Sequence, residues 1–333
     1  MRRITWLRVV LFALPVLAAP VACAQEPRSP AEALRSGRYD EAILLARGAA
    51  TREPARAEHV RVLSDALRAT GRYAEAEEAL LARTRAYPAD ASLWNQIGEV
   101  QRERGRLTEA VASFRRAIDG RAPDSLTAVL NLAIDRYDRG DIDGAMKDFD
   151  RFIDVYNSRR GRLSAGELEA VAIACRYLGR DNPQLFKDAL RAFDEATAAD
   201  SLNLDRRVRL AELFLEKYNA TEALATLNGV LAVNDKHARG LLAMAQVRLF
   251  DEAGDPAEFA RRSLEVNPSS ADARAFSALL LIDLERYSDA AVEARRGLVA
   301  DSTAPSALIA LAAAQYLQHD TAGFLMTLGK VQA

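Results

Sequence analysis

Three histidines, two cysteines and a run of aspartates are the side chains whose chemistry would be most telling in this 333-residue chain. The histidines stand in "AEHVRVL" (His59), "DKHARGL" (His237) and "LQHDTAG" (His319). A zinc site needs further His or Cys ligands at short spacing, and none of the three has one,. The stretch 138–152, "DRGDIDGAMKDFDRF", holds Asp138, Asp141, Asp143, Asp148 and Asp150, with Asp135 just upstream. Asp141-Ile142-Asp143-Gly144 opens like a calcium loop but lacks the later oxygen ligands and the closing glutamate,. It reads as a solvated turn whose acids start a helix, where the positive end of the dipole favours them. The sequence contains no GxSxG, no phosphate-cradling glycine loop and no HExxH,. No catalytic residue, metal or cofactor is expected, and the chain reads as a non-enzyme.

Composition narrows the partners. Half of the residues are apolar, which is ample for a large core,. The formal net charge is −2, so no strong attraction to nucleic acid or to an anionic membrane is expected,. The N-terminus "MRRITWLRVVLFALPVLAAPVACAQEP" has three arginines, an apolar run from Val9 to Ala22, and small residues at Ala22 and Ala24. That three-part pattern is a secretory signal over 1–24, with Gln25 as the mature start. The alternative is lipoprotein processing, which would cut before Cys23 and acylate it; Pro20 stands where leucine is usual at such sites. Both readings give an exported chain, periplasmic or secreted. No segment after residue 25 is apolar enough to span a bilayer. Cleavage after Ala24 leaves Cys175 alone in "LEAVAIACRYLG", so it reads as a buried small hydrophobe,.

The elements that would position any site are set by a repeat. "GRYDEAILLA" at 37–46 returns as "GRYAEAEEAL" at 71–80, "GRLTEAVASF" at 105–114 and "GDIDGAMKDF" at 140–149. With the alanine as marker, the series is Ala42, Ala76, Ala110, Ala145, Ala189, Ala223, Ala257 and Ala290, then a position near Ala322. One step, from Ala145 to Ala189, is 44 residues; the others lie between 33 and 35. In 91–123 the repeat carries Trp94, Ile97, Gly98, Gly105, Ala110, Phe114, Ala117 and Pro123. Each has a physical reason. Gly105 suits the left-handed residue that ends a helix. Gly98 and Ala110 are small where two antiparallel helices cross, and Phe114 and Ala117 face inward. Pro123 stops the second helix. In 209–227 the turn glycine is missing, and Asn219 takes over nearby because it tolerates the left-handed region. One hairpin cannot bury its own apolar face, so copies must stack.

This pattern resembles the tetratricopeptide repeat. The resemblance implies an all-α fold, a right-handed α-solenoid of eight to nine helical hairpins. It divides the mature chain into N-terminal repeats over 25–156, an insertion at 157–169 and degenerate repeats over 170–333. Ser164 and Glu167 form a capping box that restarts a helix after the insertion,. Arg159, Arg160 and Arg162 make that insertion either a plain surface loop or a small basic contact. The stretch 185–227 is similar to the arrays of secreted bacterial proteins of this type. Some of those carry a peptidase MA-like domain after the array.

In such proteins the first helix of each hairpin lines an inner groove that holds another protein or peptide. By the resemblance, Arg61, Asp65 and Arg68 take groove positions in the second repeat. Asn95, Glu99 and Arg102 take them in the third, and Asn131, Ile134 and Tyr137 in the fourth. The asparagines would bond an extended backbone and the arginines a carboxylate. Later groove-side residues, Leu242, Leu249, Phe250, Phe276, Leu279 and Ile282, are either core in a shifted register or a greasier groove. The expected function is an exported protein-binding scaffold; the alternative is an accessory array for an envelope metallopeptidase-like protein. The short apolar segment 321–333 is a poor terminal cap.

The repeat makes one direct prediction. Ala110→Phe overpacks the helix crossing and lowers stability by about 1–3 kcal/mol, read as a lower melting temperature.

Overall fold

The computed structural model describes residues 29–180, 182–252 and 254–331. The expected signal and Cys23 lie outside these residues. The chain is a pile of helical hairpins: α1 (Pro30–Arg35) with α2 (Tyr39–Arg52), α3 (Ala57–Ala69) with α4 (Tyr73–Ala86), α5 (Trp94–Glu103) with α6 (Leu107–Asp119), and α7 (Ser125–Asp138) with α8 (Ile142–Arg159). It continues through α9 (Ala165–Leu178) and α10 (Pro183–Ala199), α11 (Leu204–Glu216) and α12 (Ala220–Val233), and α13 (Ala238–Phe250) and α14 (Pro256–Val266). The last pairs are α15 (Ala271–Asp283) with α16 (Tyr287–Gly297) and α17 (Pro305–Leu317) with α18 (Thr321–Val331). Among the described residues there is no strand, and no helix is long and apolar enough to cross a membrane. The fold is the expected all-α solenoid.

The alanine marker sits at the helix crossings. Ala42, Ala76, Ala110, Ala145, Ala189, Ala223 and Ala290 are all buried, and Phe114, Phe149 and Phe193 are buried four residues after their markers. A Cβ at Gly98 would overlap the Phe114 ring, so that glycine is the notch for the aromatic. Two markers are corrected. In α14 the buried alanine is Ala260, because the turn before it holds two left-handed residues, Glu252 and Gly254, which displace the helix along the chain. In α18, Ala322 is exposed and Thr327 is the buried residue. Pro123 does not stop α6 either; the helix ends at Asp119, and Gly120 and left-handed Arg121 make the exit. The long step lengthens α8 to eighteen residues, leaving 160–164 as loop before the Ser164–Glu167 capping box.

The hairpin turns share one closure. Gly71 is left-handed at φ +74; its N–H donates to Arg68 O and the Arg72 N–H to Leu67 O,. Gly37, Gly105 and Gly140 repeat it. Later turns make it without glycine: Tyr218, Glu285 and His319 hold φ near +60. Tyr218, and not Asn219, therefore replaces the missing glycine; Asn219 caps α12 by accepting from the Glu222 N–H.

The first three glycine turns have a second role. The solenoid winds back onto itself, so Gly37 meets Asn234, Gly71 meets Asn267 and Gly105 meets Asp301, 196 or 197 residues later. In each case a Cβ on the glycine would overlap the side-chain Oδ1 of the partner. Asn234 Nδ2 donates to Tyr39 Oη at 3.0 Å, and Tyr39 Oη donates to Lys236 O at 3.0 Å. Asn267 Nδ2 donates to Tyr73 Oη at 3.0 Å. Burial pushes both tyrosine hydroxyls up to about 12. Among the described residues, none beyond its own chain neighbours lies within 4 Å of the Cβ position at Gly140.

This contrast separates backbone strain from coverage. Gly140→Ala costs about 1–2 kcal/mol, the left-handed penalty alone. Gly71→Ala costs about 1–3 kcal/mol more, because Asn267 must leave and its half-buried bond to Tyr73 is lost,. Thermal unfolding of the two variants side by side measures the difference; equal melting temperatures would remove the inter-turn contact from the argument.

Candidate functional site

The first helices α3, α5 and α7 turn one apolar stripe to the core and a polar stripe to the inside of the winding. On α3 the core side is Val60, Leu63 and Leu67, all buried. The opposite side carries Arg61, Asp65 and Arg68, spaced to share one helix face,. On α5, Ile97 and Val100 are core, while Asn95, Glu99 and Arg102 face inward with their neighbours' polar groups.

The structure brings these groove residues together, and they bond to one another. Arg68 is the hub. It donates to Glu103 from Nε at 3.0 Å and from Nη2 at 2.8 Å, and pairs with Glu99 at 3.1 Å and Asp65 at 3.6 Å. Arg61 donates to Ser92 O at 2.6 Å and pairs with Asp124 at 3.7 Å. Asp65 accepts from Gln96 Nε2. A continuous chain then runs from α5 to α7 and back: Arg102 donates to Asn131, Asn131 to Asn95 and Asn95 to Glu99, at 3.2, 3.1 and 3.1 Å. Tyr137 stands apart from this lattice. Its ring packs edge-on to Tyr177 and against Phe149, and its hydroxyl accepts from Arg180. Ile134 packs against the same cluster.

The later half completes the inner surface with residues the repeat pattern did not single out. Buried Glu169 on α9 accepts from Arg206 at 3.1 Å and from Arg209. Arg206, itself buried, also donates to Asp200 O at 2.9 Å. Arg239 grips Glu212 with two bonds, 2.8 and 2.7 Å, and Arg176 holds Glu216. A usable signal was present: Asp205, Arg209, Glu212 and Glu216 put both charge signs at helical spacing on one face of α11,. The hydrophobic residues divide. Leu242 and Phe276 are buried and Ile282 packs on the core, whereas Leu249, Phe250 and Leu279 are exposed.

The two halves act on each other electrostatically. Arg68 on α3 acts on Asp205 of α11, and Arg209 of α11 acts on Glu99 of α5. Asp205 leaves 62% of its side chain open to water, yet burial is the largest influence on its carboxyl. Both halves thus contribute charges to one inner surface that stays open to water at Asp205. Burial raises Glu99, but Arg68, Arg102 and Arg209 outweigh it and hold the carboxylate below the usual range,. Asp65 goes the other way. Burial, reinforced by Glu99 and Asp205, exceeds the pull of Arg68 and lifts it to about 6.

Other reactive types are held in structural roles. His237 caps α13 by accepting from the Gly240 N–H, and Asp141 caps α8 by accepting from the Gly144 N–H. Burial pushes the Cys175 thiol up to about 12, which favours the neutral thiol over the thiolate,. In the 160–164 region Arg159 pairs with Glu167, and Arg162 bonds Ser158 O. Among the described residues no group of three or more His, Cys, Asp or Glu is placed to hold a metal ion.

Residues 32–91 and 63–125 match the sequence model of the tetratricopeptide repeat, so the chain carries such repeats across 32–125. No curated protein matches the chain. Among solved structures it is similar to a human IFIT1 dimer with PPP-AAAA, at 11% identity over 89% of this chain and 68% of that one, TM-score 0.48. It is also similar to TTC0263, a thermophilic TPR protein of Thermus thermophilus, at 20% identity over 58% of this chain and 99% of that one, TM-score 0.45. PilF of Pseudomonas aeruginosa is 18% identical over 61% of this chain and 88% of its own, TM-score 0.40.

The Asp65 environment gives a pH prediction. Its folded-state pKa lies above the ordinary value of 3.8, so the folded chain holds the proton more tightly than the unfolded one,. Its contribution to stability is full below about pH 4 and is lost as pH rises through about 6,. Asp65→Asn keeps an acceptor for Gln96 and removes the charge. It raises the melting temperature at pH 8, and the gain disappears at about pH 3.5; a gain that did not depend on pH would contradict the assignment.

Proposed function

We propose that the protein is an exported, non-catalytic scaffold that binds another protein through the inner face of its first helices. The observation that supports this reading is the lattice around Arg68, which joins α3, α5 and α7 and carries both charge signs within reach of water. Its asparagines and arginines suit a peptide backbone and carboxylates. Because the members already have partners, binding there is an exchange of bonds, and the ligand must offer both acidic and basic groups. A purely acidic polymer such as nucleic acid would leave Glu99, Glu103 and Asp65 unpaired. Export rests on the N-terminal apolar run and its small-residue ending.

Two measurements test the two parts. The intact mass of the exported protein should correspond to a start at Gln25; a mass carrying lipid on Cys23 would favour the lipoprotein route. Affinity capture by the mature chain should retain a protein that is lost, about tenfold or more, from the double variant Arg102→Ala/Asn131→Ala. Equal retention by a variant that melts like the wild type would move the binding site away from the inner face.

A further inference from the structure

The one long step of the repeat does more than lengthen a helix. The second helices α4, α6 and α12 have 14, 13 and 14 residues, whereas α8 has 18 and α10 has 17. A helix of 14 residues from Ile142 would end at Val155, so Tyr156, Asn157 and Arg160 all belong to the extension. The extension reaches α10 across α9: Tyr156 Oη donates to Glu195 Oε1 at 2.7 Å. Between the two long helices, over α9, lies a cavity of about 240 Å³.

The surfaces of this cavity divide by chemistry. Its floor is Val171, Cys175 and Ala192, all buried, and its walls include Ile153 and Leu185, both half-buried. Burial keeps the Cys175 thiol neutral, so it serves there as a small hydrophobe,. The rim is polar. Arg191 stands 3.4 Å from Asp188, and both are partly open to water. Arg160 is exposed, with its guanidinium carbon 5.9 Å from the centre of the Tyr156 ring. Among the described residues Arg160 has no carboxylate partner. The acids of this region are engaged elsewhere: Glu167 with Arg159, Glu195 with Tyr156 Oη and Asp188 with Arg191. Arg160 and Arg191 both act on the Tyr156 hydroxyl, so the two guanidiniums converge on one side of the rim. The lining therefore sets two cations against one carboxylate, above an apolar floor.

We infer that this cavity binds a small monocarboxylate with an apolar body. The body lies on Val171, Cys175 and Ala192, and the carboxylate meets Arg160 beside the Tyr156 ring. Size agrees with this class. An apolar cavity of about 150 Å³ takes a benzene ring, and the larger volume here has room for a ring or a short chain with its head at the rim. Charge agrees as well. A guanidinium without a carboxylate gains a charge-assisted bond from an anionic head. A cationic head would meet two arginines and a single aspartate that is already paired. None of the lining residues takes part in the lattice around Arg68, so the site does not depend on the inner face.

Octanoate is the probe, titrated into the protein by calorimetry. Octanol and octylamine carry the same body with no charge and with the opposite charge. Saturable binding of octanoate is expected, with the other two weaker by about tenfold or more. Arg160→Gln should weaken octanoate by a similar factor and leave octanol unchanged. Ala192→Leu fills the floor and should abolish binding. Octanoate should also slow alkylation of Cys175 by N-ethylmaleimide in the wild-type protein, read at that residue by peptide mass. This second measurement locates the ligand even where Ala192→Leu lowers the melting temperature. Absence of saturable octanoate binding overturns the proposal. So does octanol binding as tightly as octanoate with no effect of Arg160→Gln, which would make the cavity apolar only. Tighter binding of octylamine would overturn it by making Asp188 the anchor. Saturable binding that leaves Cys175 alkylation unchanged would overturn it by placing the ligand elsewhere on the chain.

Discussion

A backbone turn without a Cβ, pressed against an Asn or Asp side chain almost two hundred residues away, governs the rest of this molecule. A stack of helical hairpins has only nearest-neighbour contacts, so its winding is otherwise free to open and close. Three such contacts, at Gly37, Gly71 and Gly105, fix the winding. They are polar and directional. Asn234 and Asn267 each satisfy a buried tyrosine hydroxyl while their Oδ1 atoms hold a turn together. A buried donor or acceptor left without a partner costs more than the bond itself contributes. The contact therefore tolerates little slippage, and the pitch of the whole array follows from it.

The closed winding explains the inner surface. Residues that would face open water in a looser solenoid instead face one another across a channel. A charge there loses hydration and must be paired. The pairing is dense: Arg68 with three carboxylates, Glu169 with two arginines, Arg239 with Glu212. Asp65 is the residue for which pairing falls short, and its carboxyl is driven up to about 6. The asparagines belong to the same network. Asn95 and Asn131 transmit the lattice from Arg102 to Glu99, joining helices through polar bonds on the side away from the core.

Local pattern made the hairpins legible in sequence. The alanine at each crossing, the notch at Gly98 for Phe114 and the capping box at Ser164 are set by residues close to one another in the chain. The turns were read through glycine, which is sufficient for a left-handed residue and not necessary. Tyr218, Glu285 and His319 take the same conformation because the closing hydrogen bonds over-determine it,. In α14 a longer turn shifted the helix, so the marker fell on exposed Ala257 and the buried residue is Ala260. The long step looked like a loop and is mainly added helix in α8. Contacts spanning 196 residues leave no local periodicity, so the closure was out of reach. One trace of them does survive. Glycine holds the first four hairpin turns, and Tyr218, Glu285 and His319 stand in its place later. Left-handed geometry alone cannot account for that asymmetry, because both groups share it; coverage by an Asn or Asp accounts for the first three.

The same reasoning ranks the surfaces for association. A ligand at the inner face meets groups that are already satisfied, so much of what it gains is offset by broken pairs. Such a site discriminates well, since a mismatched charge leaves a carboxylate or guanidinium unpaired in a confined channel. The exposed apolar groups of α18 are different. Leu325 and Met326 are in water before binding and need only an apolar helix to leave it,. Burying such apolar groups favours affinity, whereas the paired charges inside the winding favour selectivity.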